Sequence, residues 1–237
     1  MRPPERPQAD VLTILREGDV EVEGRMPWSS NGTFMARVCH DDEVLRAVYK
    51  PVRGERPLWD FPSGLYRREV AAYLVSEALG WGLVPETIER EGPLGPGSLQ
   101  RFVPADFKQH YFTLLEFPEH LPALKAICAF DLVVNNADRK GGHCLLGEDG
   151  RLWSVDHGLC FHADPKLRTV MWDFEGEPVP EELVAGLARL AISTPDGLTG
   201  LLDGEELEAL AARAAAIVKR PLFPPARSAR PYPWPLV

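Results

Sequence analysis

The apolar positions of this chain change their period once. Over residues 20–103 they mostly alternate, as half-buried strands do: Val20 with Val22, then Phe34, Ala36 and Val38, then the run 44–50, and finally 87–90 and 98–103 across a Gly- and Pro-rich turn at 91–97. Helical spacing appears twice beside them, as a short run over 11–18 and as a stripe of Tyr66, Val70, Tyr73, Leu74 and Ala78 that stops at Gly80. From Pro104 onward helices prevail. Leu121, Leu124, Ile127 and Cys128 form one apolar stripe and residues 180–190 another; 203–219 opens on a capping Asp203, with acids in its first turn and bases in its last. The pattern predicts an α+β protein in four parts: a flexible end at 1–10, a lobe of strands with one main helix at 11–103, a mainly helical lobe at 104–220, and a Pro/Arg-rich tail at 221–237, extended or disordered.

Residues 131–161 depart from this simple alternation of elements. The apolar helix runs into Asn135-Asn136, Asp138 and the loop Arg139-Lys140-Gly141-Gly142, after which Cys144-Leu145-Leu146 reads as a strand. Glu148-Asp149-Gly150 turns the chain, and 151–155 returns as a second short strand that hands over to Asp156. Two carboxylates, Asp138 and Asp156, thus meet the mouth of one hairpin beside a Gly-Gly loop. That arrangement suits a hard divalent cation and a phosphate better than it suits a core. The following stretch, 162–179, has no period and reads as a long functional loop.

Net charge and cysteine usage narrow the partners. A formal charge of −9 argues against a nucleic acid or an anionic membrane, so a phosphate site must be made locally by a few Lys, Arg and backbone N–H groups. The four cysteines are widely spaced inside apolar runs, which argues against a disulfide framework and for a reducing cytoplasm. No apolar run approaches a membrane span, and the start has no signal-peptide core, so a cytoplasmic protein is expected. Within the first lobe, Ser29, Ser30, Asn31 and Gly32 separate two strands; they read either as a loop whose N–H groups cover a phosphate or as an ordinary surface hairpin. Lys50 ends a strand, where a solvated edge lysine is the plainer alternative. Glu69 sits inside the helical stripe and calls for a cation such as Lys50, unless it points to solvent beside Arg68. His143, Cys144, His157, Cys160 and His162 share one span, but no Cys-x-x-Cys pair supports a zinc knuckle there.

The order of these parts carries a resemblance. A Ser/Gly hairpin, Lys50, Glu69, Asn136-Ala137-Asp138-Arg139 and then Val155-Asp156-His157-Gly158-Leu159 resemble, over residues 24–161, the phosphatidylinositol 3-/4-kinase superfamily. The wording of the two motifs is similar to type II phosphatidylinositol 4-kinases and HipA-like kinases, and the chain looks most like an actinobacterial group within that superfamily. The resemblance implies a two-lobed protein-kinase-like fold, with a small, mainly antiparallel β N-lobe and a mainly helical C-lobe. It implies ATP-dependent transfer of a γ-phosphate to a hydroxyl, with Mg²⁺ or Mn²⁺. By the same resemblance Lys50 holds the nucleotide phosphates and Glu69 orients it. Ser29, Ser30, Asn31 and Gly32 cover the phosphates, while Gln100, Arg101, Phe102 and Val103 offer backbone groups to adenine. Asp138 positions or deprotonates the acceptor, and Asp156 binds metal. Arg139 and Lys140 either add positive charge near the transferred group or are solvated surface.

The pattern breaks at one place. The superfamily has Asn five residues after the loop aspartate as a second metal ligand, and His143 stands there instead. Imidazole is a softer ligand than an amide oxygen. The alternatives are a preference for Mn²⁺, a single metal on Asp156, or a catalytically weak, nucleotide-binding regulatory protein. The acceptor stays open among a protein, a small soluble alcohol, an inositol lipid and the chain itself, and 162–179 offers only Lys166 and Arg168 to a lipid surface.

Overall fold

The computed structural model describes residues 10–27, 31–226 and 229–237. In chain order its elements are α1 (Val11–Glu17), β1 (Asp19–Arg25), β2 (Phe34–His40), β3 (Glu43–Pro51), α2 (Leu65–Leu79), β4 (Thr87–Gly92), β5 (Gly95–Arg101), α3 (Tyr111–Leu114), α4 (Leu121–Val134), β6 (Cys144–Leu146), β7 (Leu152–Ser154), α5 (Glu181–Leu190) and α6 (Gly204–Lys219). They form two compact units. One joins Met1–Arg56 to Glu86–Phe102, and the other joins Pro57–Pro85 to Val103–Val237, so that α2 counts with the second.

The first unit is an antiparallel sheet in the order β1-β2-β3-β5-β4. The period-two pattern places Ala36, Val38, Ala47, Tyr49, Ile88 and Leu99 together, and α1 covers them with Ile14 and Leu15. Asp10 caps that helix, its carboxylate accepting the Thr13 N–H at 2.8 Å. Arg90 on β4 closes the other end by donating to the carbonyls of Leu15 and Gly18 at 2.7 and 2.9 Å. Since Tyr49 faces this core, Lys50 stands on the opposite face, level with Ser98 on β5.

Two turns differ from their sequence signals. Asn31-Gly32 does not close a tight hairpin: β1 and β2 pair only as far as Arg25 opposite Phe34, leaving residues 26–33 as the connection. Gly32 donates its N–H to Gly54 at 2.7 Å, and a Cβ on Gly32 would lie 2.8 Å from the Gly54 Cα, so both positions need glycine. The β4–β5 turn is shorter than the Gly/Pro run suggests, because Gly92 pairs with Gly95 across Pro93-Leu94 and Gly95 takes a φ of 100°.

In the second unit α2 and α4 are the buried helices, and α5 and α6 pack beside them. Gly186 on α5 permits close approach, for a Cβ there would come within 2.8 Å of the Leu79 carbonyl at the end of α2. Arg68 on α2 is buried and pairs with Glu206 on α6, while its guanidinium lies 5.3 Å from the Phe61 ring centroid. Strands β6 and β7 form the expected hairpin, with Cys144 opposite Ser154. Beyond α6, Leu222 bridges Pro178, and Phe223 accepts from Gly176 and donates to Glu177.

Gly97 separates β3 from β5 directly beside Lys50; a Cβ there would lie 2.5 Å from the Lys50 carbonyl oxygen and 2.7 Å from the Pro51 Cα. Gly97→Ala is expected to destabilise the protein by about 1–3 kcal/mol through backbone displacement. Gly24→Ala, where a Cβ meets nothing within 4 Å, should change stability by less than about 0.5 kcal/mol. Thermal unfolding of the two variants checks the contrast.

Candidate active site

Asp131 and Arg139 form the foundation of the site. Asp131 lies in the last turns of α4, 1 % exposed, and Arg139 is wholly buried. The guanidinium grips the carboxylate with Nε to Oδ2 at 2.8 Å and Nη2 to Oδ1 at 2.9 Å. Nη1 donates to the carbonyls of Val155 at 2.8 Å and His143 at 3.3 Å, and the second N–H of Nη2 lies between the Ser154 hydroxyl at 2.7 Å and His157 Nε2 at 2.9 Å. Ser154 Oγ is itself 3.0 Å from the same His157 nitrogen, so guanidinium, hydroxyl and imidazole form one buried cluster. Burial disfavours the charged guanidinium, yet the Asp131 carboxylate outweighs it and holds Arg139 above its ordinary value.

Two asparagines tie the loop to this pair. Asn135 ends α4 with a φ of 55°, and its side chain donates to the carbonyls of His162 and Asp164 and accepts the Lys166 N–H. Asn136 donates to Asp131 at 3.0 Å and accepts the Asp138 N–H at 2.9 Å. Asp138 itself is half-buried, with Lys140 Nζ 2.9 Å from Oδ2. Burial raises its carboxyl above the usual carboxylate range; the Lys140 ammonium pulls it down and the nearby Asp156 charge pushes it up again.

Asp156 follows β7 with a φ of 63° and is half exposed, its Oδ2 3.4 Å from His143 Nε2. Glu69 on α2 fixes the next residue, accepting the His157 N–H at 3.0 Å. Gly158 sits close behind, where a Cβ would meet Glu69 Oε1 at 3.4 Å. Asp138, Lys140, His143 and Asp156 therefore gather at one end of the hairpin. Among the described residues no three His, Cys, Asp or Glu side chains form a ready metal cage. Asp156 and His143 offer an oxygen and a nitrogen, and two carboxylates that repel each other favour a cation, so this donor set fits a divalent ion completed by phosphate oxygens and water.

Several expectations change. Arg139 is neither solvated surface nor free to contact a ligand, because its donors are spent inside the protein, and its charge reaches Asp138 only through space; Lys140 is the cation in contact with Asp138. Glu69 is not a solvent-facing residue: it is 2 % exposed. Ser29 and Ser30 lie outside the described residues. Gly32 gives its N–H to Gly54, so that donor is not offered to a phosphate, and the Asn31 side chain accepts the Arg56 N–H at 3.1 Å. Along the segment expected to face adenine, Arg101 and Phe102 already donate their N–H groups to Glu86 and Arg46, and the Gln100 side chain donates to Thr87 at 2.8 Å. Lys50 is partly buried on β3, and Val103 is buried at the start of the second unit's longer segment. Cys144 and Cys160 are fully buried free thiols, and burial pushes Cys144 up to about 12. Asp131, Ser154 and His157 were not recognised as partners of the loop. A carboxylate among Phe130, Leu132, Val133 and Val134 is the signal that identifies Asp131, since such a group needs a buried cation.

No family model matches the chain. Protein Rv2133c of Mycobacterium tuberculosis is 40 % identical over 268 aligned positions that cover 95 % of each chain. Among solved structures, hydra Fam20 with sugar gives a TM-score of 0.59 at 14 % identity, covering 89 % of this chain and 87 % of that one. The Golgi casein kinase with Mn/ADP bound gives 0.55 at 15 % identity, covering 95 % and 79 %. These likenesses establish a two-lobed kinase-like fold. Among the described residues no helix is long and apolar enough to cross a membrane.

Arg139→Leu strands the Asp131 carboxylate in the core and is expected to cost about 3–5 kcal/mol. The double variant Asp131→Leu/Arg139→Leu should recover much of that loss. Urea unfolding of the single and double variants measures the difference.

The chain belongs to the family of Mycobacterium tuberculosis protein Rv2133c.

Proposed function

We propose that this member of the Rv2133c family is an ATP-dependent phosphotransferase that moves a γ-phosphate to a hydroxyl. The reading is carried by one observation: Asp138, Lys140, His143 and Asp156 converge on a loop anchored by buried ion pairing. In the reaction the acceptor oxygen bonds to the γ-phosphorus, the bond to the bridging oxygen breaks, ADP leaves with that electron pair, and Asp138 takes the hydroxyl proton. A half-buried carboxylate with a raised pKa is a stronger base than an exposed one, which suits that role. Lys140 lies where it can offset charge on the transferred group. Asp156, with His143, would hold Mg²⁺ or Mn²⁺, which when bound neutralises phosphate oxygens. The Golgi casein kinase of similar fold was crystallised with Mn/ADP, which favours the same class of ligand here. The sequence resemblance assigns Lys50 to the phosphates and Gln100 to Val103 to adenine, although the N–H groups of Arg101 and Phe102 already have acceptors in Glu86 and Arg46. The two aspartate motifs support a phosphatidylinositol 3-/4-kinase-like site, with a protein, small-molecule or lipid acceptor.

The second reading is a nucleotide-binding regulatory protein with little or no turnover. The placement of His143 Nε2 3.4 Å from an Asp156 oxygen favours it, because a hydrogen bond there competes with metal for the carboxylate.

Labelled ATP with Mg²⁺ or Mn²⁺, offered with the protein alone, with phosphatidylinositol vesicles and with an unfolded protein acceptor, separates the readings. Label must move to one of the three; binding without transfer under both metals supports the second. Asp138→Ala is expected to lower transfer by about 10²–10⁴-fold with nucleotide affinity retained, and Lys50→Met to weaken both. His143→Asn should raise the Mg²⁺-supported rate relative to the Mn²⁺-supported one. An unchanged ratio would remove His143 from the metal site.

A further inference from the structure

Residues 229–237 lie on the catalytic loop, and the proposed reaction gives them no part. Gly141 donates its N–H to the Leu236 carbonyl at 2.7 Å. Thr169 donates its N–H to the Pro231 carbonyl at 2.9 Å, and Trp172 Nε1 donates to the same oxygen at 3.2 Å. Packing follows these bonds: a Cβ on Gly141 would stand 3.3 Å from the Phe112 ring and 3.4 Å from the Leu236 oxygen, and one on Gly142 would lie 3.8 Å from Val237. Thr169 in turn pairs with Arg139 in a parallel bridge. One anchor of the segment is therefore opposite the residue that follows Asp138, and the other is on the loop just beyond it.

The segment's chemistry matches this position. Pro231, Pro233 and Pro235 alternate along it. Proline has no N–H, so the segment presents carbonyl acceptors to a surface that presents donors. Proline also restricts the backbone before docking, which reduces the entropy lost on seating it. Pro233 is buried and Pro231 partly so, whereas the aromatic side chains contribute less, for Tyr232 is 52 % and Trp234 86 % exposed. From Pro231 to Leu236 the only hydroxyl is that of Tyr232. The surface thus grips the segment at two carbonyls, those of Pro231 and Leu236, and holds almost nothing that could accept a phosphate.

We propose that this surface is the seat of a polypeptide acceptor and that residues 229–237 fill it as an autoinhibitory strap. The proposal rests on the phosphotransferase reading above and specifies its acceptor as polypeptide. The donors engage carbonyls at both ends of one segment, Pro231 and Leu236, a spacing that a polypeptide offers and that a single headgroup or a small alcohol does not span.

The test uses the full chain with Pro231→Gly, Pro233→Gly and Pro235→Gly together, which keeps every carbonyl and removes the preorganisation, and separately with Trp172→Phe, which removes one donor. Three readouts are compared with the native chain: amide hydrogen exchange at Gly141 and Thr169, binding of a fluorescent ADP analogue, and transfer from ATP to dephosphorylated casein. In the triple-glycine chain exchange at both amides should accelerate, ADP affinity should stay within twofold, and transfer should rise at least fivefold. Trp172→Phe should move exchange and transfer the same way by less. A synthetic peptide of residues 229–237 should reverse the gain in competition with casein and not with ATP. Unchanged exchange in both variants overturns the strap, as does accelerated exchange with unchanged transfer or a peptide that competes with ATP. If neither native nor variant chains transfer phosphate to any acceptor while still binding ADP, the phosphotransferase reading itself has failed and takes the acceptor seat with it.

Discussion

The buried pair between Asp131 and Arg139 is the constraint from which the site follows. A carboxylate and a guanidinium taken from water each lose several kcal/mol of hydration, and their attraction repays this only when geometry and further hydrogen bonds are good. Here the fork is bidentate, and each remaining direction of the guanidinium meets an oxygen or a nitrogen. Pairs of this kind are often no more stabilising than well-packed apolar residues of the same volume. What the pair supplies is position. It joins α4, the loop and the β6–β7 hairpin at one point, one residue from Asp138, and an apolar substitute would leave the carbonyls of Val155 and His143 without their donor.

A second carboxylate does comparable work from the other side. Glu69 receives the His157 N–H, so the turn carrying Asp156 is held by α2 as well as by Arg139. Asp156 can then adopt a positive φ, a conformation that a loosely held aspartate would leave for the extended region. Arg68, one residue earlier on α2, pairs with Glu206 and fixes the helix against α6. The proposed catalytic carboxylates are less enclosed: Asp138 is half-buried and faces Lys140, and Asp156 is half exposed, as groups that must meet a ligand require.

Much of this was legible along the chain, because local rules govern it. Period-two and helical spacing mark the strands and the long helices within a few residues, Gly80 and Asp203 mark helix ends through backbone geometry and capping, and the two aspartates stand out by their setting. The failures share a cause. Whether an N–H is available depends on partners distant in sequence, so the bonds of Gly32 to Gly54 and Phe102 to Arg46 could not be read from either segment. Arg139 was misjudged for the same reason: beside a lysine in a polar loop it looks solvated, and only the fold brings Asp131, Ser154 and His157 around it. Asp131 could have been noticed, for the rule applied to Glu69 applies equally to a carboxylate in an apolar helix.

The electrostatics decide which form of nucleotide suits the site. The chain is acidic, and at the hairpin mouth the carboxylates of Asp138 and Asp156 repel each other enough to help raise the Asp138 carboxyl. A bare triphosphate would add several negative charges to that repulsion, and Lys140 is already engaged with Asp138. In the proposed reaction a divalent cation held by Asp156 would offset this negative charge for the phosphates and would favour the ionised form of Asp138. Under the proposed phosphotransferase reading, a metal–nucleotide complex would therefore suit this arrangement better than free nucleotide, because the cation would offset the repulsion between the phosphates and the Asp138 and Asp156 carboxylates.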